Sequence, residues 1–141
     1  MADHLLLDEI GRDGVLEFLR VAGEGSGSPL LMAELRNLGG ALAEPDPAGG
    51  LLDSVDARFA YVGCGSAVDA GAAAASVEHH AVVRAVLSPW DVGTTVPSMV
   101  GSRTQPQGHL DGERVARADA VRAELDPDGL FAGDVAPCAP G

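Results

Sequence analysis

Residues 113–131 read ERVARADAVRAELDPDGLF, a helical pattern that runs into a specific stop. The Ala- and Arg-rich part predicts a helix over 112–124. Pro127 disfavours helical backbone at the residue before it, and Gly129 can adopt a left-handed turn. The pair Leu130-Phe131 is then predicted to fold back as an apolar plug, so this segment has a structural role and not a catalytic one.

A second informative stretch, residues 29–42, reads PLLMAELRNLGGAL and predicts a strand over 29–38 that ends at Gly39-Gly40. Together the two stretches resemble the strand and Gly-Gly turn that open the substrate-domain sheet of berberine-bridge-enzyme-like FAD-linked oxidases, and the C-terminal signature of that family. The resemblance spans essentially the whole chain. It implies one substrate-binding domain over 1–141, with an α+β, ferredoxin-like fold whose antiparallel sheet is covered on one face by helices.

The chain lacks features with which these oxidases bind and use FAD. Those oxidases wrap FAD in a much larger N-terminal region, which these 141 residues do not contain. Where the family carries Tyr-x-Asn-Tyr/Phe, residues 95–98 read TVPS, and a Thr hydroxyl cannot act as a phenolate base. The position at which some family members have a catalytic carboxylate corresponds to the region of Ala60, so this chain has no acid or base there. We therefore expect no cofactor on this chain, and FAD only if a partner chain supplies its binding domain.

Composition narrows the classes of partner. The net charge is −12, with all nine basic residues Arg, which disfavours nucleic acid and anionic membrane surfaces. No apolar run approaches the roughly 20 residues of a membrane span, and no basic segment precedes Leu5-Leu6-Leu7. A cytoplasmic protein with an aliphatic core is expected. Without Lys, Schiff-base chemistry is excluded.

Periodicity predicts the remaining elements. Apolar spacing over 5–21 predicts one broken or paired helix, and 57–64 is the second clear strand. An Ala-rich helix over 68–87, with Asp69 as its N-cap, is expected to cover one face of the sheet. A short strand over 94–96 precedes the terminal helix.

Strand alternation sorts side chains into two faces. Leu31, Ala33, Leu35, Phe59 and Tyr61 are predicted to be core. The opposite face mixes apolar and polar groups, as a ligand floor does, and its alternative interpretation is a solvated charge cluster. The predicted catalytic residues are Glu34 as general base, Arg36 as a clamp for a carboxylate or enolate, with Arg58 as the alternative clamp, and Tyr61 as a minor proton donor, with Cys64 as the alternative donor. The predicted substrate-binding residues are Met32, Arg58, Val62, Cys64, Trp90 and Thr95.

No metal site is predicted. His79 and His80 are neighbours on a helix and point about 100° apart, so helix-surface positions are favoured over zinc ligands. His109 lies in a polar loop and His4 near a terminus that we expect to fray. Cys64 and Cys138 are expected to be free thiols.

Three functions remain open. The first is a stand-alone, flavin-free enzyme of secondary metabolism that binds a small organic substrate and promotes a cyclisation, isomerisation or lyase step. The second is a subunit or remnant of a split FAD-dependent oxidoreductase. The third is a non-catalytic binding domain that forms a homodimer. All three functions assume a sheet face that a flavin domain covers in the oxidases and that is exposed in this chain.

Overall fold

In the computed structural model, which describes residues 1–100 and 110–131, the protein has an α+β fold with a three-stranded antiparallel sheet. The main elements are β1 (Ala2–Leu7), α1 (Gly11–Ala22), β2 (Leu30–Asn37), β3 (Phe59–Gly65), α2 (Ala70–Leu87) and α3 (Gly112–Leu125). Short 3₁₀ turns occupy Gly40–Ala43, Ser88–Trp90 and Pro97–Met99. The predicted α+β class with an antiparallel sheet is thus confirmed, as are the predicted strands over 29–38 and 57–64 and the predicted helices over 68–87 and 112–124.

The strand order is β1-β3-β2, so β3 lies in the centre and pairs antiparallel with both neighbours. Helix α1 connects the two outer strands. The register places Leu5 and Leu35 opposite Tyr61, one from each side. Tyr61 therefore occupies the middle of the sheet.

The predicted helix over 5–21 is wrong in its first part. Residues 2–7 form β1, and the helix starts only at Gly11. The left-handed backbone of Gly11, with a φ of 53°, separates the strand from the helix. Leu5, Leu6 and Leu7 are all buried because both faces of β1 are covered. A strand covered on both faces has a continuous apolar run, which periodicity alone cannot distinguish from a helix.

The helix-side core lies between the sheet and the two helices α1 and α2. Phe18 meets Tyr61 edge-on, with ring centroids 5.9 Å apart, and the cluster is completed by aliphatic side chains. The buried members of this cluster are Leu5, Leu7, Ile10, Phe18, Val21, Tyr61, Val83 and Leu87. The predicted core positions Ala33, Leu35 and Phe59 pack against it.

The prediction that Leu31 is a core residue is wrong, because Leu31 is 76% exposed. The register of β2 against β3 shifts between Leu30 and Met32, which leaves Leu31 out of the ladder. Such a bulge breaks the alternation of side chains on which the prediction relied.

A smaller core cluster lies on the opposite face of the sheet. It contains Leu6, Leu38, Ala57 and Ala60, and Val92, Val96 and Met99 pack against it. Segment 92–99 therefore covers the β1 side of this face and leaves the β2 side open. The predicted strand over 94–96 does not form, because Val96 donates its N–H to the His4 Nε2 (3.2 Å) instead of to a strand.

The C-terminal stop forms as predicted in its backbone but not in its side chains. Gly129 has a φ of 66°, and the Asp126 carboxylate accepts hydrogen bonds from the N–H groups of Leu130 (2.7 Å) and Phe131 (2.9 Å). The side chains of Leu130 and Phe131 are nevertheless 79% and 84% exposed, so the predicted apolar plug is wrong. Helix α3 has no buried residue, and its own apolar side chains Val121 and Leu125 are also exposed.

Candidate functional site

The open part of the sheet face is formed by β2 and β3. The register sets Met32 opposite Cys64 and Glu34 opposite Val62, and it places Arg36 opposite the buried Ala60. The five predicted site residues that lie together on this surface, which we call the open face, are Met32, Glu34, Arg36, Val62 and Cys64. Each is half-buried or exposed. The open face thus combines apolar area with one acidic and one basic group.

Glu34 and Arg36 form an ion pair two residues apart on the same face of β2. The Arg36 Nε donates to the Glu34 Oε1 at 2.5 Å, and the Arg36 Nη2 contacts the same oxygen. Both side chains are more than a third exposed, so the pair contributes at most about 1 kcal/mol to stability. A guanidinium has five N–H donors, so an anionic ligand could share Arg36 or take the place of Glu34.

Tyr61 lies on the other face, so its predicted role as proton donor beside Glu34 is not supported by the geometry. The ring is fully buried under the helices, and the hydroxyl contacts the His80 Nδ1 at 3.3 Å. Burial, with the nearby Asp3 carboxylate, raises the pKa of the Tyr61 hydroxyl far above its ordinary value. The phenol therefore stays protonated and belongs to the core.

Trp90 and Arg58 also lie away from the open face. Trp90 packs against the helix-side core, with its ring close to Gly14 of α1, so it anchors the end of α2. Arg58 precedes β3, and its Nη2 lies 3.7 Å from the Glu9 carboxylate in the β1–α1 connection. Neither residue contributes to a floor shared with Glu34 and Arg36.

Thr95 lines a separate cavity of about 210 Å³ at the covered side of the same face. The cavity is bordered by Leu6, by residues 52–56 of the β2–β3 connection and by Arg114 of α3, whose Nη2 lies 3.7 Å from the Asp53 carboxylate. An adjoining cavity of about 420 Å³ shares Asp56 and Thr94 with it and reaches Gly39-Gly40 and Arg58. The Gly39-Gly40 turn is the sequence signal that lies nearest to these cavities.

A buried polar cluster between α2 and the N-terminal strand β1 was not predicted from the sequence. The Arg84 guanidinium donates to both Asp3 carboxylate oxygens (2.7 and 2.5 Å) and to the His4 carbonyl (2.9 Å). His4, expected near a frayed terminus, is fully buried in β1. A bidentate pair of this kind fixes α2 on the edge of β1.

His80 was predicted on the helix surface but is only 7% exposed. Its Nε2 atom has no hydrogen-bond partner among the described residues. Burial is the largest effect and lowers the pKa of His80 below its ordinary value, so the ring is neutral at pH 7. The neighbouring His79 points elsewhere and donates from Nε2 to the Val21 carbonyl of α1 (2.9 Å).

No group of three His, Cys, Asp or Glu side chains that could hold a metal ion occurs in residues 1–100 and 110–131. Cys64 is a free thiol on the open face, whereas Cys138 and His109 lie outside the described residues. Within the same described ranges, no helix is long and apolar enough to cross a membrane.

Two features of the described residues are unfavourable for FAD held by this chain alone. At the position of the family's Tyr-x-Asn-Tyr/Phe pattern, the Val96 N–H already bonds to His4, and Pro97 has no N–H. The N-termini of α2 and α3 are capped by the carboxylates of Asp69 and Asp111, which would repel a phosphate.

Comparison with known proteins gives no family model, no curated protein and no solved structure that matches this chain. The resemblance to FAD-linked oxidases therefore rests on the residues quoted above.

Proposed function

We propose that this chain is a substrate-binding domain of secondary metabolism that holds a small organic molecule on the open face. One observation carries the proposal. The helices seal one side of the sheet, while the β2 side of the other face presents Met32, Val62 and Cys64 around the Glu34–Arg36 pair. Apolar area with a few convergent polar groups is the usual make-up of a ligand floor.

The chemistry that this surface supports is a flavin-free proton transfer, as in a cyclisation, isomerisation or lyase step. A carboxylate or enolate oxygen of the substrate would bind Arg36 in place of the Glu34 Oε1. Glu34, released from its partner, would then take a proton from the carbon beside this group. The negative charge would move to the oxygen bound to Arg36, and Glu34 would return the proton to the substrate or to its leaving group. Tyr61 has no part in this scheme, because it lies behind the sheet.

Binding is tested by calorimetric titration with a panel of aromatic hydroxy acids and polyketide-like phenols. We expect saturable binding of at least one acidic member, weakened about tenfold or more by Arg36→Ala, since a charge-assisted hydrogen bond would be lost. Arg20→Ala is the control, because Arg20 also forms an exposed local ion pair with a glutamate, Glu17 on α1. No saturable binding, or equal effects of the two substitutions, would contradict the proposal.

A second candidate is a subunit whose chemistry comes from a separate FAD-carrying chain docked over the open face. The observation in its favour is that Glu34 and Arg36 already neutralise each other, which leaves no uncompensated carboxylate among the five residues of the open face. The visible absorption spectrum tests it, recorded before and after incubation with FAD and desalting, with and without that chain. A flavin band retained only in a stable complex would favour this candidate, and separate elution of the two chains would exclude it.

The finer fold assignment, ferredoxin-like, is part of the same proposal. The strand order β1-β3-β2 with α1 crossing between the outer strands would be completed by a fourth strand beside β1, where Leu7 forms a single bridge with Asp91. A cytoplasmic location also stays a prediction.

A further inference from the structure

The outer edge of β2 is unpaired within the described residues. The sheet order β1-β3-β2 gives this strand a neighbour on one side only. The strand is eight residues long and contains no proline, and three of its last four side chains are polar or charged. A free edge of this length presents a row of backbone donors and acceptors to another strand.

The alternating hydrogen-bond pattern of the β2–β3 ladder identifies which backbone groups of β2 point to the free edge. The Leu38 N–H donates to the Arg58 carbonyl at 3.0 Å, and this pair continues the register that sets Arg36 opposite Ala60. Hydrogen-bonded and non-hydrogen-bonded pairs alternate along an antiparallel ladder. Glu34 and Arg36 therefore direct their backbone groups toward β3, whereas the intervening Leu35 directs its N–H and C=O to the free edge.

We propose that two copies of this chain pair antiparallel through their β2 edges, across a two-fold axis at Leu35. In this register Leu35 bonds to the partner's Leu35, and Ala33 bonds to the partner's Asn37. The two three-stranded sheets then form one six-stranded sheet. The open faces join into one continuous surface, so the pairing is compatible with ligand binding there but does not depend on it.

Charge complementarity selects this register. With the axis at Leu35, Glu34 lies opposite the partner's Arg36, and the same pair recurs on the other side of the axis. These are non-hydrogen-bonded positions, where side chains across an antiparallel pair are closest. A two-fold axis at Glu34 would place the two Glu34 carboxylates opposite each other, and an axis at Arg36 would do the same for the two guanidinium groups. Like charges directly opposite each other destabilise strand pairing. A shift by one residue would place each charge opposite a side chain on the other face.

Sedimentation velocity of the full chain over a range of concentrations tests the proposal. We expect a monomer–dimer equilibrium whose dissociation constant rises about tenfold or more for Glu34→Arg alone and for Arg36→Glu alone, because each creates two like-charge contacts. The double substitution restores complementarity and should return the constant to near the starting value. Glu17→Arg on α1, which changes the charge equally away from the edge, should leave it unchanged.

Three results would overturn the proposal: a wild-type chain that stays monomeric at every concentration, a single substitution without effect, or a double substitution no better than the singles. If a single-substitution variant does not fold, Arg36→Gln compared with Arg20→Gln replaces it. Both remove one positive charge per chain, but only Arg36→Gln removes the cross-strand pairs with Glu34, so only Arg36→Gln should weaken the dimer, and equal dissociation constants for the two variants would overturn the proposal.

Discussion

Substituting Gly63 by Ala gives a sharp test of how Tyr61 is held in the sheet. Gly63 lies two residues after Tyr61 on the same face of β3, and the phenol ring lies over it. A Cβ at this position would be 2.1 Å from the Tyr61 Oη and 2.9 Å from the His80 Cε1. Both neighbours are buried, so neither has solvent to move into.

The magnitude follows from two effects. Overpacking of a close-packed core costs about 1–3 kcal/mol, and displacing the hydroxyl from His80 loses a hydrogen bond of about 1 kcal/mol. We therefore expect Gly63→Ala to lower the free energy of unfolding by about 2–4 kcal/mol. Adding Tyr61→Phe removes the atom in closest contact and should reduce the further cost of the Ala.

Urea denaturation followed by circular dichroism measures these values. The control is Gly50→Ala, in a loop where a Cβ meets no atom within 4 Å, and it should change stability by less than about 0.5 kcal/mol. A Gly63→Ala variant as stable as the control would refute the close approach of Tyr61, and with it the position of the ring between Phe18 and His80.

Three further predictions concern the same layer. Asp3→Ala leaves Arg84 without its bidentate partner and should lower the free energy of unfolding by about 2–4 kcal/mol, against less than about 1 kcal/mol for Glu17→Ala in an exposed pair, both measured by urea denaturation. His80 has a lowered pKa when folded, so stability should be complete above pH 6.5 and fall below it, by up to about 1.4 kcal/mol per pH unit, as the unfolded chain binds the extra proton. Thermal melts between pH 5 and 8 should show this slope in the wild-type chain, and a slope that persists unchanged in His80→Gln would contradict its assignment to His80. Asp69→Ala removes the N-cap that bonds the Ala72 N–H (2.8 Å) and should cost about 1 kcal/mol in thermal melts, with an unchanged melting temperature as the contradicting result.

Local signals predicted β2, β3, α2 and α3. The strand that contains Phe59 and Tyr61, the N-cap at Asp69 and the left-handed Gly129 are all set by neighbours in sequence, through alternation, capping and backbone freedom. Leu31 failed where a bulge interrupts the alternation, since nothing in the sequence marks a register shift.

The N-terminus failed for a different reason. Leu5-Leu6-Leu7 forms a strand because segment 92–99 covers one of its faces and the helices cover the other, and both contacts are long-range. The burial of His4 and His80 has the same origin, because each histidine is held by a group far away in sequence. Periodicity contains no such information.

The candidate site was predicted in part. Alternation brought Met32, Glu34, Arg36, Val62 and Cys64 together, as the structure has them. Alternation also placed Tyr61 on the core face, where it lies, so the chemical role predicted for it conflicts with its position. The position of Trp90 behind the sheet depends on tertiary packing. The cavities beside Thr95 depend on the path of the β2–β3 connection, whose length and composition left its position open.

The most direct test of the proposed function is to titrate the ¹⁵N-labelled chain with the acidic ligand panel and to follow its amide resonances. We predict saturable shifts that centre on Met32, Glu34 and Arg36 in β2 and on Val62 and Cys64 in β3, and that weaken in Arg36→Ala but not in Arg20→Ala. Shifts confined to the cavities around Thr95, or no saturable shift with any member of the panel, would contradict ligand binding on the open face.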